Sequence, residues 1–306
     1  MTVKPIRKAA IAVLATGGTI AGARSSDNDS HYRAASVGIE DLIATVPGLG
    51  ALVDVTGEQI LQIDSVNMDD QGMLTLARRT SQLLAADEVD AVVITHGTDT
   101  LEETAYFLHL ALDSSKPVIV VGSMRPPDSL SADGPRNLRQ ACAVAASSQA
   151  KGMGVLVVMN DEIHTARDVT KGHTLNVAAL GSPHGPLGYI VGDSPIFYRA
   201  PVRPHTLHTP FDLAAMNSLP RVDIVYAYAN MPTTAVDALV ASGTAAIIHA
   251  GMGNGYVSDH VSDALRAARA AGVHIVRASR TGNGAVARNV AAPDDENGWL
   301  VVDDHN

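Results

Sequence analysis

The feature that most restricts the fold is an alternation. Short apolar runs rich in β-branched residues recur at 10–15, 91–95, 117–122, 154–159, 223–228, 245–250 and 274–278. Between most of them lie stretches of helical period, at 69–86, 101–112, 135–148, 234–242 and 258–271. Strands covered on both faces read as continuous apolar runs, and a helix is the usual return between parallel strands. The pattern predicts βαβ units, hence an α/β fold with a mainly parallel sheet.

The stretch 181–210 breaks the pattern. It has little helical period and contains Pro183, Pro186, Pro195, Pro201, Pro204 and Pro210. At 306 residues, two domains are the expectation. We expect a larger N-terminal, mainly parallel-sheet domain over residues 1–190, a connecting segment over 191–210, and a smaller C-terminal α/β domain over 211–306. No internal repeat or low-complexity tract is present.

Composition excludes several classes. With 46% hydrophobic and 18% charged residues, the chain can bury a core and is not of disordered type. A net charge of -10 without a Lys/Arg cluster disfavours nucleic acid as a partner. No stretch approaches the ~18 apolar residues of a membrane-spanning helix. Lys4, Arg7 and Lys8 before the run 9–15 imitate a signal peptide. That run is short, lacks a small-residue cleavage site and opens directly into Thr16-Gly17, so it reads as the first strand. A cytoplasmic location is expected, a periplasmic one being the alternative. The single cysteine, Cys142, reads as a small buried apolar residue.

Open parallel sheets bind ligands beyond the carboxyl ends of their strands. The first run ends in Thr16-Gly17-Gly18-Thr19, the second in His96-Gly97-Thr98-Asp99-Thr100, and the third in Ser123-Met124-Arg125-Pro126. The fourth leads to Asn160-Asp161-Glu162 and then Arg167-Asp168-Val169-Thr170-Lys171. If the sheet forms, these segments converge.

Locally, the first loop reads as a tight turn needing glycine freedom, since neither GxGxxG nor GxxxxGK[ST] is present. Asp99 or Thr100 can cap a helix at 101–112, with Glu102 and Glu103 in its first turn, but capping accounts for only one of these residues. Lys171 is an ordinary solvated charge unless it lies near Thr98. None of the 12 histidines has HExxH or Cys/His-ligand spacing, so no metal is expected. His96, His164, His173 and His184 read as polar loop residues. A Ser-His-Asp hydrolase is disfavoured because GxSxG is absent.

Taken together, five segments resemble the bacterial-type L-asparaginase/glutaminase family. They are 13–21 (VLATGGTIA), 93–108 (VITHGTDTLEETAYFL), 122–138 (GSMRPPDSLSADGPRNL), 155–171 (VLVVMNDEIHTARDVTK) and 251–255 (GMGNG), in matching order and spacing. The resemblance implies an amidohydrolase that converts L-asparagine to L-aspartate and ammonia through an acyl-enzyme, glutamine being the alternative amide. It implies no cofactor, and a homotetramer built as a dimer of dimers.

By the same resemblance, Thr16 is the nucleophile and Tyr32, in the Gly/Ser/Asp-rich stretch 22–35, is the loop tyrosine that activates it. Thr98, Asp99 and Lys171 form a second triad. Ser65 and Asp99 hold the substrate's α-carboxylate and α-ammonium. Asn254 lies near the site of the neighbouring subunit. Backbone N–H groups near Thr98 and Ser123 are candidate oxyanion donors. The chain departs from the family at Val66 (commonly glutamine or glutamate), Tyr256 (an asparagine) and Ala291 (a glutamate). It also stops at Asn306, where relatives continue through a terminal helix.

Overall fold

The structure is a computed structural model that describes residues 7–25 and 31–304. Lys4 of the leader-like stretch, residues 26–30 of the loop bearing Tyr32, and Asn306 lie outside the described residues. The chain divides into two compact units, Met1–Ser218 and Leu219–Asn306.

In the first unit, eight strands form one sheet: β1 (Ala10–Gly17), β2 (Asp54–Ile63), β3 (Ala91–Thr95), β4 (Val118–Val121), β5 (Val155–Met159), β6 (Glu162–Thr165), β7 (Gly188–Val191) and β8 (Ser194–Phe197). Their order is β8-β7-β6-β5-β4-β3-β1-β2. Strands β2, β1, β3, β4 and β5 run parallel, and β6, β7 and β8 extend the sheet antiparallel. The parallel returns pass through α1 (Ile39–Ala44), α2 (Asp70–Ala85), α3 (Leu101–Ala111) and α4 (Gly134–Ala145).

The central strands AVVIT, VIVV and VLVVM are buried at every residue. Each Val or Ile side chain so removed from water contributes about 1.5–3 kcal/mol. Successive residues point to opposite faces, so such runs need helices on both sides. One face packs Val93, Ile119, Val121, Leu156 and Val158 with Leu138 and Cys142 of α4. Burial pushes the Cys142 thiol up to about 12, which leaves it inert. Helix α2 starts where Asp69 accepts a hydrogen bond from the Gly72 amide at 2.8 Å.

Strand β2 has no counterpart among the expected runs. Its sequence, DVTGEQILQI, is mixed because it is half exposed and, among the described residues, an edge strand paired to β1 alone. Gly57 within it leaves room for α1: a Cβ there would lie 2.9 Å from side-chain atoms of Ile39 and of Ile43.

The antiparallel extension also differs from expectation. Residues 191–210 read as a connection, yet Ser194–Phe197 is the outermost strand, and the first unit continues through Ser218, past residue 211. Pro195 misled that reading. A proline cannot donate to a ladder, but an edge strand needs donors on one side only.

The second unit is a parallel sheet of β9 (Val222–Tyr226), β10 (Ala246–Gly251), β11 (His274–Ser279) and β12 (Leu300–Val301) in sequential order. Helices α5 (Thr234–Ala241) and α6 (Asp259–Ala270) accompany it. Its core gathers Val225, Ile247, Val261, Leu265, Ile275 and Trp299. Arg277 and Asp294 are fully buried and joined by two bonds of 2.7 Å. Arg277 also donates to the carbonyls of Asn254, Gly255 and Ala287. Among the described residues, no helix is long and apolar enough to cross a membrane.

Candidate active site

The parallel strands follow the order β2-β1-β3-β4-β5, so chain direction across the sheet reverses between β1 and β3. The crevice beyond the carboxyl ends of those two strands is where such sheets bind ligands. Glycines bring the loops there into contact. A Cβ on Gly18 would lie 2.3 Å from Gly97 backbone atoms, one on Gly97 2.6 Å from Ser65 Oγ, and one on Gly122 2.9 Å from Thr98 Cγ2. Gly17 and Gly18 also have φ of +107° and +76°, conformations that a side chain disfavours. The loops after β1, β3 and β4, and the turn after β2, therefore pack edge to edge.

Thr16 lies at the end of β1, at an irregularity in its pairing with β2 between Ala15 and Gly17. The Gln59 amide occupies this irregularity, donating to the carbonyls of Leu61 (2.5 Å) and Ala15 (3.3 Å). The Thr16 hydroxyl is buried and donates to the Thr95 carbonyl at 2.9 Å. Tyr32 belongs to a short antiparallel ribbon in which Tyr32–Arg33 pairs with Ala23–Arg24. Its hydroxyl lies 2.8 Å from Thr19 Oγ1. Tyr32 thus reaches the TGGT loop through its second threonine, Thr19.

The second group is tighter. The Lys171 ammonium donates to Thr98 Oγ1 at 2.9 Å and to Asp99 Oδ1 at 2.5 Å. Thr98 is 4% exposed, whereas the Asp99 side chain is half open to solvent. The Thr98 hydroxyl donates to Met124 Sδ at 3.5 Å, and a thioether is a weak acceptor. The proton of Thr98 is therefore held loosely, while its oxygen faces a positive charge. Neither Asp99 nor Thr100 caps α3 with its side chain: Asp99 binds Lys171, and Thr100 donates to the Ser65 carbonyl at 2.8 Å. A cavity of about 330 Å3 lined by Asp99, Lys171, Gly172, His173 and Thr174 adjoins this group.

Ser65 is buried, and among the described residues its hydroxyl has no hydrogen-bond partner. A buried hydroxyl without a partner invites a ligand group or water. The neighbouring Val66 is 62% exposed, so it does not point into the core. Ser123 is buried, its hydroxyl donating to the Arg125 carbonyl at 2.9 Å. The amides of Met124 and Arg125 donate to the Asp133 carboxylate at 3.0 and 2.9 Å. Asp133 was not singled out by sequence, although it stands beside the helix start at Gly134-Pro135, where capping residues gather. Asn254 belongs to the second unit, and its Oδ1 accepts from the Ala287 amide at 2.7 Å.

Two of the four histidines read as loop residues are core residues. His96 is buried, its Nδ1 2.7 Å from the Gly97 carbonyl. Desolvation lowers its pKa to about 4, with the Gly97 bond opposing, so it is neutral at neutral pH. His164 lies in β6, with Nδ1 3.0 Å from Ser182 Oγ and Nε2 3.1 Å from Glu162, and burial lowers its pKa to about 4. Among the described residues, no group of three or more His, Cys, Asp or Glu residues is arranged to hold a metal ion.

The family model described as Asparaginase, N-terminal, matches residues 10–203, and that described as Glutaminase/Asparaginase C-terminal domain matches residues 221–306. The chain belongs to the asparaginase family. It is 51% identical over 298 residues to a protein named glutaminase-asparaginase from Pseudomonas fluorescens biotype A, covering 97% of this chain and 82% of that one. It is 46% identical to L-asparaginase 2 of Escherichia coli K12, covering 95% and 83%. The crystal structure of a probable cytoplasmic L-asparaginase from Campylobacter jejuni superposes with a TM-score of 0.94 at 45% identity, covering 98% and 91%. The asparaginase models together take in both sheets and every loop described above.

Proposed function

We propose that the protein hydrolyses the side-chain amide of L-asparagine to L-aspartate and ammonia, with glutamine turned over more slowly. The names of the relatives support this reading, and one observation carries it: the Lys171 ammonium held against both Thr98 Oγ1 and Asp99 at the carboxyl end of β3. Amide cleavage needs a nucleophilic oxygen, a route for its proton and stabilisation of a tetrahedral oxyanion.

In this reading Thr16 Oγ1 attacks the amide carbon and gives up its proton, with Tyr32 acting in concert with Thr19. The leaving nitrogen accepts a proton and departs as ammonia. Thr98, polarised by Lys171, orients the water that cleaves the ester on Thr16. Ser65 and Asp99 hold the α-carboxylate and α-ammonium. The residues Ser123 and Asn254 complete the substrate site, Asn254 in the neighbouring subunit of a homotetramer. No cofactor enters the scheme. The chain acts in the cytoplasm.

A second reading exchanges the threonines. Lys171 contacts Thr98, whereas Thr16 donates to a backbone carbonyl, which favours Thr98 as the attacking oxygen. Ammonia release from each amide tests the activity itself. Acid quenching during turnover, followed by peptide mapping of the acyl adduct, tests the mechanism. An adduct on Thr16 supports the first reading, one on Thr98 the second, and no ammonia from either amide refutes both.

A further inference from the structure

Lys171 is brought to Thr98 from 73 positions away, on a ribbon in which Thr170–Lys171 pairs with Leu180–Gly181. A ribbon of two residues a side has too few ladder bonds to set its own position. Something else must hold Lys171 in register with the loop after β3.

Glu102 does so. It lies in the first turn of α3, one helical turn beyond Thr98. One carboxylate oxygen accepts the Thr170 hydroxyl at 2.9 Å, and the other accepts the Lys171 backbone N–H at 2.5 Å. Because Glu102 stands in the first turn of the helix into which the Thr98–Asp99 loop runs, three residues after Asp99, these two bonds tie the Lys171 backbone to the segment that carries its side-chain partners. Charge-assisted bonds to a carboxylate are short and directional, and two of them fix orientation as well as distance. Catalytic contacts depend steeply on such placement.

We infer that Glu102 is a positioning residue that sets the Lys171–Thr98 contact without touching substrate. The inference rests on the proposed role of Lys171. A simple helix-terminus charge would also suit a glutamate here, and the two roles separate by substitution. In Glu102→Gln the amide oxygen still accepts from the Lys171 N–H, and the Thr170 hydroxyl can rotate to accept from the amide nitrogen. Both links survive while the charge is lost.

The experiment measures kcat and KM for asparagine, with thermal midpoints, in Glu102→Ala, Glu102→Gln, Thr170→Val, Lys171→Met and the Glu102→Ala/Lys171→Met pair. The expected result is a fall in kcat of about tenfold or more in Glu102→Ala at nearly unchanged KM. Glu102→Gln recovers most of that loss, Thr170→Val loses less than Glu102→Ala, and Glu102→Ala adds nothing to Lys171→Met. Equal losses in the Gln and Ala variants, or additive losses in the pair, overturn the inference. Unchanged kcat in Glu102→Ala does the same. If Glu102→Ala does not fold, the kcat of Thr170→Val decides: a fall at constant KM supports the inference, and wild-type kcat overturns it. Full activity in Lys171→Met removes instead the proposed role of Lys171, and so separates the two failures.

Discussion

Acidification should unfold this protein through its buried histidines, well above the range in which carboxylates titrate. His96, His109, His164 and His249 are each no more than 1% exposed. Desolvation is the leading cause that lowers their pKa values, to about 4 for His96, His164 and His249 and about 3 for His109. The unfolded chain binds these protons near pH 6.5, whereas the folded chain refuses them until about pH 4. Between those values the unfolded state carries more protons, so stability falls as pH falls. At about pH 5 each histidine has lost roughly 2 kcal/mol, and four such losses approach the whole stability of a typical domain, about 5–15 kcal/mol. Glu103 and Glu162 oppose this within the same window: burial raises their pKa values, so above the usual carboxylate range the folded chain takes up their protons before the unfolded chain does. The assay is the urea midpoint measured from about pH 7 to about pH 5, followed by fluorescence and circular dichroism. Replacing His164 by Gln removes one titrating site and should flatten the slope by up to about 1.4 kcal/mol per pH unit. Constant stability across that range, or an unchanged slope in His164→Gln, would refute the reasoning.

Thr16→Ala should lower asparagine turnover by on the order of 10⁴-fold or more while the protein stays folded; comparable turnover would remove Thr16 from the chemistry. Lys171→Met should cost about 10²- to 10⁴-fold in kcat with little change in melting temperature, as read by ammonia release and calorimetry. Val66→Gln should lower KM for both amides, by about fivefold if one hydrogen bond to the α-ammonium is gained, and raise relative glutamine turnover. The exposed position of Val66 makes room for such a contact, and identical kinetics would show that none forms. Asp294→Ala should destabilise the second unit by about 3–5 kcal/mol, because it strands the buried Arg277 guanidinium; a midpoint within error of wild type would contradict this.

The sequence by itself determined the strands and helices of both sheets wherever burial dictates a pattern. A central parallel strand must be apolar on both faces, so Ala91–Thr95 and Val155–Met159 are visible as runs, and α2 and α3 as periodic stretches, to within a residue or two. Glycines and hydroxyls at the ends of those runs likewise marked the loops at the sheet's carboxyl edge. The two edge strands of the first sheet carry no such imprint. Strand β2 is half exposed, and β8 contains a proline that only an outermost strand accepts, so neither announces itself locally. Tertiary structure alone decided the pairings: Tyr32 with Thr19, Glu102 with Thr170 and Lys171, His164 with Ser182. It also decided that Asp99, a fair helix cap by sequence, binds a lysine 72 positions away. Local preference acts over a few residues, whereas these contacts depend on which strands become neighbours. That choice belongs to the packing of the whole sheet.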